Sequence, residues 1–499
     1  MLLPSNGAFV LRRAVGWLIV IGGIGSIGLI VAMGRFLELS ALGILTALLL
    51  FAVRPVLGAV SVLSFAFINP SLLPSLMEIG PFTFRFADGI MILLTTAIFL
   101  RLAVQHHRPI EQEWWTTFNP LFPFLAYVGM SLGLVWLYVP DVFEISLASY
   151  ARLLVTVLLG FLIYMSLNTE KDVRLFTRFI VIFAVTSLLV GTWEALASPQ
   201  KEVVVSGRYG GLLGTNTFGL VAGLLVVWAV IVRTNGGPTL PWVIPLVAGL
   251  WGLFLSKSAS STLATIGALF FWIAFRRREV MQSLWPLQLA LGLLVGIALA
   301  VWGLWLLRPN DFVGLMSLSG GSWAQRVMIA YGALQIFLSH PLFGVGWQAS
   351  GTNAFIGDPT LNEVLMQAFS KLPKHYFFLE RPNSLHNMYL QLLADLGIIG
   401  FALFVYGIIG VGKKVADILR MVPTHSPFRR LALFSAMGLV YLLIWWNTNP
   451  LYGGQTESLL AVTFLSLLAA LWRLNKQNYR REKLKTLKVS SSGSKPPRC

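Results

Sequence analysis

Apolar runs of 15 to 25 residues recur along nearly the whole chain, each about long enough to cross a hydrocarbon layer of roughly 30 Å. Inside lipid every backbone N–H and C=O must find its partner within the protein, so runs of this length fold as helices. Charged residues are 11% of the 499 and hydrophobic ones 56%, about half the charged share of an ordinary soluble domain. The expected fold is an all-α polytopic membrane helix bundle. Cys499 is the only cysteine, which excludes an intramolecular disulfide, a thiolate metal cluster and a redox cysteine pair.

Runs bounded by charges, Pro or Gly place fourteen spans, beginning near residues 15, 37, 55, 89, 120, 147, 177, 211, 241, 261, 283, 389, 431 and 456. The second and third are short and separated only by Arg54 and Pro55. They read equally as one broken helix or a re-entrant pair, because proline removes a helix hydrogen bond, and the count is then twelve. With fourteen spans and a cytoplasmic N-terminus, 26 of the 37 Lys and Arg fall on the cytoplasmic side, including Arg276-Arg277-Arg278 and nine after residue 472. That distribution follows the positive-inside rule, so both termini are expected in the cytoplasm. The same rule accounts for the net charge of +17 without nucleic acid as a partner. The first apolar run lacks a small-residue cleavage site and reads as a span rather than a cleaved signal.

This threading gives a bundle of eleven spans over 1–307, an outside loop over 308–387, three spans over 388–473 and a basic cytoplasmic tail over 474–499. A loop of such length is more often functional than connective. Within it, Ser322 is a candidate N-cap. Trp323, Val327, Tyr331, Leu334 and Leu338 then recur at helical spacing, predicting an amphipathic helix laid against the membrane or the bundle.

Soluble-enzyme patterns are missing: there is no Gly-x-Ser-x-Gly elbow, His-Glu-x-x-His pair, Walker loop or strand-borne Gly-x-Gly-x-x-Gly. His106 and His107 lie in an inside loop that reads as a solvated hairpin, so no metal site is expected there. Attention moves to charges on the outward face: Arg85 and Asp88 before span four, Arg152 in span six, Arg208 before span eight, Lys257 between spans nine and ten, and Arg326 and His386 in the long loop. Cations near lipid depth are costly unless they pair or line a cavity, which makes each a site candidate. Structural alternatives stand beside these roles: an Arg85–Asp88 salt bridge, a snorkelling Arg152, and a His386 that only caps a helix.

The segment RPNSLHNMYLQLLADLGIIG (381–400) sets His386-Asn387 ahead of Gly397-x-x-Gly400, and upstream come Arg326 and HPLFGVG (340–346). This combination resembles the O-antigen ligase and O-antigen polymerase superfamily of bacterial inner-membrane glycosyltransferases. SGRYGGLLGTNTFG (206–219) is similar to the family's Arg-x-x-Gly segment ending in Pro-Asn, with Thr215 in place of that proline ahead of Asn216. FTFRFADG (82–89) is similar to its early Arg-x-x-Asp element, and LSKSASST carries Lys257 where a Ser-Arg-Gly segment is common.

The resemblance implies transfer of a glycan from a polyprenyl-diphosphate carrier to an acceptor hydroxyl at the periplasmic face, with membrane lipids around it. It implies Arg208, Arg326, Lys257, Arg85, Asn216 and Asn387 as diphosphate or substrate contacts, His386 as the catalytic base, and no metal or other cofactor. The chemistry is coherent, because fixed cations stabilise the charge of a departing diphosphate and a near-neutral imidazole accepts an alcohol proton. Asn387 or Asn383 is placed to orient the imidazole, and Gly397 and Gly400 to permit close helix packing. The acceptor distinguishes a ligase, toward which the His-Asn spacing leans, from a polymerase or a protein O-oligosaccharyltransferase. A solute or bicarbonate transporter is the competing class and would show paired broken helices in two related halves; no such halves are visible in the sequence.

Overall fold

The computed structural model describes residues 36–68, 72, 77–79, 82–104, 112–197, 211–235, 240–278, 321–378, 384–423, 426–451 and 456–492. Its helices are α1 (Phe36–Val53), α2 (Pro55–Phe67), α3 (Phe86–Val104), α4 (Gln112–Phe118), α5 (Phe122–Tyr138), α6 (Phe143–Ser166), α7 (Glu170–Ala197), α8 (Thr215–Thr234), α9 (Leu240–Ser256), α10 (Ala259–Arg278), α11 (Gly321–Ser339), α12 (Pro359–Ala368), α13 (Met388–Met421), α14 (Pro427–Trp445) and α15 (Thr456–Ser492). One antiparallel hairpin, β1 (Met77–Ile79) and β2 (Phe82–Phe84), sets Met77 opposite Phe84. The protein is an all-α polytopic membrane bundle, with 8 helices among the described residues long and apolar enough to cross a bilayer. The spans expected from residues 15 and 283 lie outside the described residues.

The short pair near residue 55 is two helices broken at Arg54. Pro55 opens α2 at its first position, where an N–H would have no helical partner anyway. With 13 residues α2 rises about 20 Å, less than the apolar layer is thick.

Two sets of polar contacts mark the ends of the bundle. At one end Arg473 of α15 donates to the carbonyls of Tyr164 (3.1 Å) and Leu167 (2.6 Å), its guanidinium lying 4.3 Å from the Tyr164 ring centroid. Lys476 pairs with Glu113 at 2.9 Å, and Asn475 Nδ2 donates to the Met421 carbonyl at 3.0 Å. These bonds gather the start of α4, the end of α6, the end of α13 and the middle of α15. At the opposite end Arg152 donates to the Thr83 carbonyl, Trp347 Nε1 to Ser149 Oγ (3.2 Å) and Gln348 Nε2 to the Leu451 carbonyl (2.8 Å). Between the two ends an apolar core includes Leu63, Tyr164, Phe176, Phe218, Tyr441 and Leu468.

A second, smaller core lies under residues 321–378, where Ala324, Met328 and Ile336 of α11 meet Val345, Ile356 and Leu365. The helix expected from residue 322 is present as α11, with Ala324, Met328 and Ile336 facing this core and Val327, Leu334 and Leu338 exposed. Small residues decide the orientation, since a side chain at Gly332 would come within 2.8 Å of Ile356. Close backbone approach on that side turns the bulky stripe outward.

Candidate active site

The geometry starts from a break in α13. Gly397 has φ 63 and ψ −168, so the helix is interrupted within a span. The polar backbone groups freed by the break are taken up by residues 340–346. Val345 N–H donates to the Ala394 carbonyl (3.1 Å), Gly346 N–H to that of Asp395 (2.7 Å), and Ile398 N–H to that of Pro341 (2.8 Å). Irregular backbone at membrane depth is tolerated where protein surrounds and satisfies it, as here. A Cβ at Gly397 would lie 2.3 Å from the Leu342 oxygen, and one at Gly344 2.4 Å from the Asp395 carbonyl. Gly397 is therefore a backbone break rather than the packing glycine expected from its spacing. Gly400 does allow packing, its missing side chain filled by Tyr127.

Asp395, which the sequence reading did not single out, clamps this interlock. It is fully buried and accepts from Ser350 N–H (3.0 Å), Ser350 Oγ (2.6 Å), Gln348 N–H (3.1 Å) and Gln391 Nε2 (3.3 Å). A lone carboxylate in an apolar run was the signal available for it.

His386 and Asn387 stand at the start of the same helix. Asn387 is the N-cap: its Oδ1 accepts from Leu390 N–H at 3.0 Å while its Nδ2 donates to the Asn447 carbonyl at 2.9 Å. Its amide anchors α13 to the turn after α14. The neighbouring His386 is half-buried, has φ 48, and donates its backbone N–H to Ser384 Oγ at 3.3 Å. Burial, and then the positive charge of Arg326 on α11, hold its imidazole below the ordinary histidine pKa. Arg326 thus lies within electrostatic reach of His386.

Lys257 occupies the turn between α9 and α10 with φ 47. Ser258 caps α10, accepting from Ser261 N–H at 3.3 Å. A side chain at Gly219 of α8 would meet Ser256, Ser258 and Ser261 within 2.9 Å, which places Asn216, one turn earlier, at the same end as Lys257. Trp445 Nε1 reaches Ser261 Oγ at 3.4 Å. The Lys257 turn is therefore linked through α14 and Asn447 to Asn387 and His386. Among the described residues, the non-glycine residues with positive φ are Lys257, Gln348 and His386. Two are predicted site residues, and Gln348 bonds to the Asp395 clamp.

Arg85 sits apart from this group. The expected Arg85–Asp88 salt bridge is replaced by a capping contact, Asp88 Oδ2 accepting from the Arg85 backbone N–H at 2.8 Å. A carboxylate three residues into a helix satisfies an otherwise orphaned N–H this way. The Arg85 guanidinium lines a cavity of about 260 Å³ with Arg152; burial and then Arg152 lower its pKa, while Asp88 opposes them. Arg152 donates to the Thr83 carbonyl. Arg208 and Asn383 lie outside the described residues.

Two further cavities flank the centre. One of about 530 Å³ has Val139, Val142 and Ile145 in its lining together with Ser149, Gln348 and Ser384. An apolar one of about 370 Å³ runs from Trp446 and Leu451 to Val415 and Leu419.

A search of curated proteins returns no match to the chain. The O-antigen ligase family matches residues 244–405, a stretch that holds Lys257, Arg326, His386, Asn387, Asp395 and the Gly397 break. That match supports the O-antigen ligase superfamily for this part of the chain.

Proposed function

We propose that this membrane glycosyltransferase moves a glycan from a polyprenyl-diphosphate carrier to an acceptor hydroxyl, with His386 as general base. The observation that carries the reading is the concentration of backbone strain at Lys257, Gln348 and His386. Such conformations cost about 1–3 kcal/mol each and persist where surrounding structure enforces them, commonly at active sites. Here they fix a base and a cation at one end of the bundle.

In the reaction, His386 accepts the acceptor's hydroxyl proton as that oxygen attacks the anomeric carbon of the donor sugar. The bond from that carbon to the diphosphate oxygen breaks, and the leaving group keeps the electron pair. Arg326 and Lys257, with Arg208 and Asn216, meet the departing diphosphate, where preorganised charge is worth most. Asn387 acts indirectly by fixing the start of α13 beside His386. The apolar cavity along α13 and α14 suits an isoprenoid chain. Ligase and polymerase share this chemistry and differ in acceptor: a lipid-anchored core sugar or a second carrier-linked glycan.

The test is transfer by the purified full chain, given a polyprenyl-diphosphate glycan and a glycolipid acceptor, with and without EDTA. Wild type is expected to form product equally in both conditions, and His386→Ala to lose roughly 10²-fold or more of the rate. An undiminished His386→Ala rate removes the base, and loss of wild-type turnover in EDTA replaces the cation mechanism by a metal-dependent one.

A further inference from the structure

The cavity shared by Arg85 and Arg152 is left over from this mechanism. Arg85 and Arg152 both line it, and among the described side chains the one carboxylate lining it, Asp88, has an oxygen engaged by the Arg85 backbone N–H. Arg152 donates to the Thr83 carbonyl; with five N–H donors on a guanidinium, others are left for a ligand. Like charges at one cavity repel unless an anion lies between them, and arginine forks match phosphate oxygens two at a time. The same cavity is lined as well by apolar side chains, Val62, Phe65, Met91 and Leu159 among them. Two cations and apolar side chains around one cavity fit a phosphate headgroup with acyl chains better than a free ion. The volume, about 260 Å³, greatly exceeds the roughly 10–15 Å³ that one water needs.

The surroundings also give a direction. Ser149 lies one turn before Arg152 on α6 and lines the same cavity as Ser384, and Ser384 accepts from the His386 N–H. One helix face thus runs from the two arginines toward the proposed base.

We propose that the Arg85–Arg152 cavity binds the phosphate of a second membrane lipid, the glycolipid acceptor, separately from the donor diphosphate at Arg326. The acceptor assignment rests on the transferase reading, whereas the lipid-phosphate site does not. Anionic lipid seats its phosphate between the guanidiniums, and the attached glycan follows the Ser149 face toward His386.

The test uses the full chain as wild type, Arg85→Gln and Arg152→Gln, the glutamines keeping a donor for neighbouring carbonyls while removing the charge. Arg174→Gln, at the opposite end and paired with Glu170 in the native chain, is the control. Retention of phosphatidylglycerol is measured by native mass spectrometry, with excess inorganic phosphate in a parallel arm. Wild type and the control are expected to retain the lipid. Each site variant should lose about tenfold or more in retention, the scale of one charge-assisted hydrogen bond. Equal retention in all four proteins overturns the site; displacement by inorganic phosphate replaces the lipid by a small anion and overturns it likewise. In turnover, Arg152→Gln should raise the acceptor KM about tenfold and leave the donor KM unchanged, and the reverse pattern overturns the acceptor assignment. If wild type transfers no glycan, the proposed function fails while the retention arm still decides the site.

Discussion

His386 is held in a left-handed conformation that few side chains adopt without strain, φ 48, immediately before the N-cap of α13. Asparagine tolerates this region about as well as any residue with a side chain. His386→Asn should therefore fold and insert like wild type, with an unchanged thermal midpoint, yet turn over no faster than His386→Ala. A wild-type rate in the asparagine variant would return His386 to a purely structural role. The pH dependence follows from the direction of its pKa. The base must be neutral, and burial and Arg326 lower its pKa from the ordinary 6.5. Neutral imidazole then persists to lower pH, so the rate should rise with a midpoint below 6.5 rather than at it. Removing the Arg326 charge acts in the opposite sense: the residual rate of Arg326→Ala should rise with a midpoint at higher pH than wild type. An acid limb that stays in place in that variant shows that Arg326 and His386 are not coupled.

Among the elements, α13 carries the most information, because its 34 residues hold the clamp carboxylate and the break and follow directly on the Asn387 N-cap. Gly397→Ala puts a methyl group 2.3 Å from the Leu342 oxygen at a φ that disfavours it. It is expected to destabilise by more than the about 1–3 kcal/mol of the backbone term alone, seen as a lowered melting midpoint of the purified protein. Gly412 is the opposite case: an added Cβ there meets nothing within 4 Å, and the residue lines the apolar cavity. Gly412→Phe should keep or raise the melting midpoint, since glycine inside a helix costs roughly 0.5–1 kcal/mol relative to alanine, while raising the KM for the polyprenyl donor. An unchanged donor KM removes the carrier chain from that cavity. The break itself was only partly legible. The spacing from His386 to Gly397, and the upstream His340 to Gly346, can be read directly, but their interlock comes from backbone hydrogen bonds that no residue pattern encodes. Asp395 was visible as an isolated charge in an apolar run, although its partners Ser350 and Gln348 are 45 and 47 residues away. α11 was legible as a helix, while periodicity located its bulky stripe without telling which side small residues allow the smaller core to approach.

At the scale of the whole molecule, the two ends of the bundle differ in chemistry, and the proposed function requires the end with His386 to face away from the cytoplasm. Lys476 and Arg473 are fixed at one end by contacts with Glu113 and Leu167, while Asn387 and Asn447 lock the other. The sequence assigns the lysine-rich end to the cytoplasm through the distribution of 26 of the 37 basic residues. A single native cysteine, Cys499, makes the assignment directly measurable. In a Cys499→Ser background, Lys371→Cys lies on an exposed turn after α12, and Arg420→Cys lies in the exposed last turn of α13. Both positions are surface sites whose substitution disturbs no buried contact, unlike an insertion after Ser350, which would sever the hydrogen bonds to Asp395. A membrane-impermeant maleimide added to intact cells, with the outer membrane permeabilised where one is present, should label residue 371 and leave residue 420 unlabelled until the cytoplasmic membrane is opened. The reverse pattern would place His386, Arg326 and Lys257 on the cytoplasmic side. Transfer to an acceptor on the outward face would then be impossible for this arrangement, however well its charges suited a diphosphate.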